Sequence, residues 1–93
     1  MPALCQTATE IDVATAPAFF AAMCAAIDST ADRAVTIDCS AITFMDSSAY
    51  HMLMDANRYA IHRDHQLVVG NLTANCARIM RLCDEDSALT FEP

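Results

Sequence analysis

The sequence predicts an α/β domain with a sheet of about four strands, mixed or partly parallel, and helices mainly on one face. Three observations carry this. Short β-branched runs alternate with stretches of helical periodicity in the order β-α-β-α-β-α-β. Threonine or serine stands before each helical stretch, as helix starts require. The 93 residues suffice for one compact core, so residues 1–93 are read as a single domain.

The elements follow in order. Leu4 to Ile11 alternates loosely with threonines and reads as a strand. Thr15-Ala16-Pro17 supplies a cap and a proline tolerated in a first helical turn. Phe20, Met23, Cys24 and Ile27 then recur at helical spacing and predict a buried stripe. Val35 to Asp38 is β-branched and reads as a strand, and Phe44-Met45 as a further apolar step. Asp46-Ser47-Ser48 favours a helix start, after which Ala49, Leu53, Ala56 and Ala60 draw a small-residue face suited to close packing. Gln66 to Val69, closed by Gly70, is the next strand. Thr73 caps a third helix with a stripe of Cys76, Ile79, Met80 and Cys83, leaving Arg78 and Arg81 toward solvent. Leu89 to Phe91 is expected as an edge strand.

Composition excludes several functions. Net charge is −7, from 12 carboxylates against 5 arginines and no lysine, which opposes nucleic acid and anionic lipid. The apolar stretch from Ala14 to Ile27 is too short to span a membrane, and the first ten residues do not read as a signal peptide. The five cysteines (Cys5, Cys24, Cys39, Cys76, Cys83) are odd in number and irregularly spaced. Reduced thiols in a cytoplasmic protein are therefore expected, with Cys24, Cys39, Cys76 and Cys83 mostly buried. His51, His62 and His65 lack metal-ligand spacing, and a single glycine cannot build a phosphate loop. Neither metal nor cofactor is expected, and no catalytic constellation stands out.

The block Phe44-Met45-Asp46-Ser47-Ser48 carries the remaining signal. Physically, Asp-Ser-Ser between strand and helix is a capping device. It is also an anion site, since a phosphate on Ser47 would meet free helical N–H groups and the positive end of the dipole. Around this block the chain resembles the STAS domain of bacterial anti-sigma factor antagonists. Thr9-Glu10-Ile11-Asp12 with Ala14-Thr15-Ala16 is similar to that family's G-E-L-D-x-x-T-A segment. Val35 to Asp38 through Phe44-Met45-Asp46-Ser47-Ser48-Ala49 is similar to its strand leading into F-M-D-S-S-G. The likeness runs from about Ala8 to Phe91, with threonine and alanine in place of two family glycines at Thr9 and Ala49.

The resemblance implies a STAS-like fold with shortened terminal elements and a partner-switching role. The unmodified domain would bind an anti-sigma factor that is also a serine kinase, releasing a sigma factor. The kinase would phosphorylate Ser47, with Ser48 secondary, and a cognate phosphatase would reverse this. The domain would thus be a kinase substrate and not an enzyme. The expected docking surface comprises Asp12, Asp46, Ser48, Ala49, Tyr50 and Met54, and uncovered edges point to a homodimer. Two other functions use the same scaffold. A thiol-based sensor requires an exposed, low-pKa cysteine. A STAS subunit of a transporter complex would dock on a helical protein surface.

Overall fold

The computed structural model describes residues 3–4 and 9–92. Its elements are β1 (Ala3–Leu4), β2 (Glu10–Ile11), α1 (Ala16–Ser29), β3 (Ala34–Asp38), β4 (Phe44–Met45), α2 (Ser47–Ile61), β5 (Gln66–Gly70), α3 (Ala74–Cys83) and β6 (Thr90–Glu92). The first strand expected from Leu4 to Ile11 is two short strands in different sheets. Residues 5–8, including Cys5, lie outside the described part.

A four-stranded sheet has the order β1-β3-β5-β6, and a second sheet pairs β2 with β4. Every pairing is parallel rather than mixed. The reason is topological. A helix intervenes between β3 and β5 and between β5 and β6, so no hairpin joins neighbouring strands.

The register explains the core. Val35 pairs with Leu67 and Ile37 with Val69, and all four side chains are buried on one face. Thr36 and Val68 lie between them on the other face and are only half-buried. Helix α1 packs on α2 and β3, α2 also on β5, and α3 on β4 and α2, so the helices gather over the Val35–Val69 face. Helix α2 buries Ala49, Leu53, Ala56 and Ala60, the face read from sequence. Its small side chains allow the close approach of α1.

The stripe of α1 is shifted from the expected one. Ala16, Phe19, Met23 and Ile27 are buried, while Phe20 and Cys24 lie on the flank. Starting the helix at Ala16 sets Phe19, Met23 and Ile27 four residues apart on the inward face. Phe20 instead meets the Tyr59 ring edge-on at 6.5 Å. In α3, Cys76 and Met80 are buried, with Ile79 and Cys83 half-buried at the margin. No helix among the described residues is long and apolar enough to cross a membrane.

This shifted stripe gives a direct check. Phe19→Ala should cost about 3–5 kcal/mol of stability, as for a large core truncation. Phe20→Ala should cost less than half as much, as seen in paired urea denaturation curves. Equal losses would return the stripe to Phe20.

Candidate functional site

The site forms where the second sheet ends. Glu10 pairs with Phe44 and Ile11 with Met45, and the Asp46 N–H donates to the Ile11 carbonyl at 3.3 Å. Thr43 adds a backbone bond to the Thr9 carbonyl at 2.7 Å. The two sequence motifs therefore run side by side: the second passes at Asp46 straight into α2, and the first turns through residues 12–15 before α1 begins at Ala16. Asp12 follows Ile11 and leads to α1, while Asp46 follows Met45 and begins α2.

Each aspartate is spent locally through one oxygen. Asp46 is the N-cap of α2 in extended backbone, and its Oδ1 accepts the Ser48 N–H at 2.8 Å. Its carbonyl accepts the Ala49 N–H at 3.1 Å. Asp12 Oδ1 accepts the Ala14 N–H at 2.9 Å and the Thr15 N–H at 3.1 Å, forming the turn into α1. Thr15, expected as the side-chain cap, makes no capping bond. Its hydroxyl donates to the Glu10 carbonyl at 2.8 Å and accepts the Asp12 N–H at 2.9 Å. The backbone at Thr15 is already helical, so its hydroxyl does not reach the free N–H groups, and Asp12 takes over the turn.

Ser47 is the first residue of α2 and is exposed, with Asp46 and Ser48 half-buried on either side. A phosphate on Ser47 would find only one backbone donor of that turn uncommitted, the Ser47 N–H itself. It would also face the Asp46 and Asp12 carboxylates with no arginine in the segment. Ala49 is buried and belongs to the core.

Tyr50 and Met54, one turn apart, are half-buried against that core. The Tyr50 hydroxyl donates to Asp84 Oδ1 at 2.8 Å. Asp84 caps the end of α3 and also accepts the Ala88 and Leu89 N–H groups at 3.1 and 3.2 Å. That carboxylate, together with burial, pushes the Tyr50 phenol up to about 12. Tyr50 therefore ties the start of α2 to the end of α3, and its hydroxyl is already committed. The sequence reading did not single out Val13, which is 79% exposed immediately after Asp12, with Phe44 41% exposed in the paired strand. An apolar residue following a turn-forming aspartate is the signal that could have found it. The site end thus carries exposed apolar surface beside carboxylates.

The thiols lie elsewhere. Cys39 and Cys76 are buried, and Cys24 and Cys83 are half-buried rather than fully enclosed. Burial, reinforced by Asp28 and opposed by Arg63, pushes the Cys24 thiol up, away from thiolate chemistry. Among the described residues no group of three or more histidines, cysteines or carboxylates could hold a metal ion.

Parallel strand pairing that brings the turn into α1 beside the start of α2, the latter led by an exposed serine, defines a small α/β module. The chain belongs to the STAS domain family. The family model described as "Mlab, STAS domain" matches residues 6–90, nearly the whole sequence. STAS domains generally mediate protein–protein interactions. No curated protein matches the chain.

Two local roles are open to test. Asp46→Ala should lower stability by about 1 kcal/mol through loss of the cap, and Asp46→Asn by much less, both read as thermal midpoints. Tyr50→Phe should cost about 1–2 kcal/mol at neutral pH. Because the folded phenol titrates above its ordinary 10, its contribution is full below pH 10 and is lost as pH rises through about 12. The difference between wild type and Tyr50→Phe should therefore shrink over that window.

Proposed function

We propose that this STAS domain is a phosphorylation-controlled docking module acting as an anti-sigma factor antagonist. The observation that carries the reading is Ser47 itself, exposed at the first position of α2 beside the Asp46 cap and opposite the Asp12 turn. In the unmodified state the surface around Ser47, with Val13 and Phe44, meets the anti-sigma factor, which is also the serine kinase. Phosphorylation adds roughly −1.5 to −2 of charge at an end already lined by carboxylates, and a phosphatase removes it. On this reading the domain is a substrate and ligand, not an enzyme. Ser48, half-buried with its N–H on Asp46, is the secondary acceptor.

A second reading keeps the docking end and changes the partner to a transporter complex. The description of the matching family model, an Mlab-type STAS domain, names no anti-sigma factor and leaves this partner open. A pull-down from native cytoplasm, with mass spectrometry of Ser47 and of the captured proteins, separates the two. The anti-sigma reading expects a kinase in the capture and phosphate on Ser47. Ser47→Asp should weaken binding to that kinase more than tenfold, over about 1.4 kcal/mol, whereas Ser47→Ala should fold, bind and resist phosphorylation. Equal binding of wild type and Ser47→Asp would leave Ser47 as a helix start only.

A further inference from the structure

The other end of α2 borders a cleft. Between the last turns of α2, the start of β5 and the segment entering β6 lies a cleft of about 530 Å³. This is within the range of small-molecule sites, about 300–1,000 Å³. It is separated from Ser47 by most of a 15-residue helix, about 20 Å at 1.5 Å per residue.

Its walls are held by specific bonds. The Gln66 N–H donates to the Arg33 carbonyl at 2.7 Å, continuing the β3–β5 register. His65 donates through Nδ1 to the Asp32 carbonyl at 2.8 Å, since a carbonyl can only accept. These bonds fix the backbone that carries Arg33 and Gln66. On the opposite wall the Asn57 amide reaches the Ala88 carbonyl at 3.5 Å, joining α2 to the approach to β6.

Apart from His65 and Asn57, the polar side chains lining the cleft are uncommitted. Arg58 pairs with Asp55, Arg63 with Asp28, and Arg78 bonds Asn75. The Arg33 guanidinium makes no hydrogen bond or ion pair with any described residue, and the same holds for the side chains of Asp64, Gln66 and Thr90. All four line the cleft. Between them Ile61 is 60% exposed, a large apolar side chain set among polar groups. A guanidinium, an amide and a hydroxyl lining the same cleft as one exposed apolar side chain match an oxyanion carried on a short hydrocarbon. One cation, with Asp64 at the rim of a chain of net charge −7, disfavours phosphate dianions and polyphosphates.

We propose that this cleft binds a small monocarboxylate, its carboxylate on Arg33 and Gln66 and its apolar body on Ile61. Asp64 adds a partner for an α-ammonium, so the ligand is either a simple short-chain carboxylate or an apolar amino acid. The site is independent of the docking reading and shares no residue with it.

The test is an amide NMR titration of the full chain with isovalerate, with leucine and with inorganic phosphate. Isovalerate or leucine should give saturable shifts centred on residues 57, 61, 64–66 and 88–90, with Kd at or below about 1 mM. A stronger effect of leucine than of isovalerate assigns Asp64 to an ammonium, and the reverse order assigns a simple carboxylate. Arg33→Gln should weaken binding at least tenfold, and Ile61→Asn should also weaken it. Both residues are exposed, and the spectra themselves report that each variant is folded. No saturable shift with either carboxylate, shifts centred elsewhere, phosphate binding as tightly, or unchanged binding by Arg33→Gln would each overturn the proposal.

Discussion

Two residues of parallel pairing set where α2 begins and where the turn into α1 starts. Ile11 and Met45 are fully buried and opposite each other, while Glu10 and Phe44 point outward. A one-residue slip of either strand would carry a buried side chain to solvent and bring its exposed neighbour inward. It would also move Asp46 off the Ile11 carbonyl and misplace its carboxylate relative to the Ser48 N–H. Burial of two apolar side chains thus decides that Ser47 is the first helical residue. The strands are only two residues long, so the pairing depends on that burial more than on its few hydrogen bonds.

The parts of this arrangement legible in sequence are those where one physical signal acts alone. Helix α2 could be read because Ala49, Leu53, Ala56 and Ala60 recur at helical spacing and together form its buried face. Ser47 at a helix start could be read because Asp-Ser-Ser offers side-chain caps and little else. Helix α1 was less legible, since adjacent Phe19 and Phe20 fit two stripes one residue apart, and only packing against α2 and β3 selects Phe19. The short second sheet was invisible because two-residue strands have no periodicity. Asp12 takes the turn-forming role expected of Thr15 for a related reason: either can serve a helix start, and backbone conformation at Thr15 decides between them.

Tyr50 shows why a position on a helix face does not by itself define a docking residue. It lies one turn below Met54 and near the serine, as spacing indicated. Yet Asp84, 34 residues away in sequence, holds its hydroxyl and links α2 to the end of α3. That partnership depends on tertiary structure and leaves no local mark. Exposed apolar surface at this end comes instead from Val13 and Phe44, on the two paired motifs. A partner that read Ser47 would therefore meet side chains from β4 and from the turn that follows β2, so the strand pairing would shape its surface as well as its position.

The capping geometry also indicates where the energy of a phosphate on Ser47 would go. A free helix start could use a phosphate as a cap, so phosphorylation would stabilise the fold. Here the Asp46 carboxylate already holds the Ser48 N–H and the Asp46 carbonyl holds that of Ala49. Little capping remains to be gained, and α2 keeps its cap with or without the modification. The added charge meets Asp46 and Asp12 at a solvated end, where water screens much of the repulsion. Neither effect demands a refold. A partner that covers this end removes that water, and the same charges then oppose one another in a desolvated contact. The cost falls on the complex because the domain has already satisfied its own helix start.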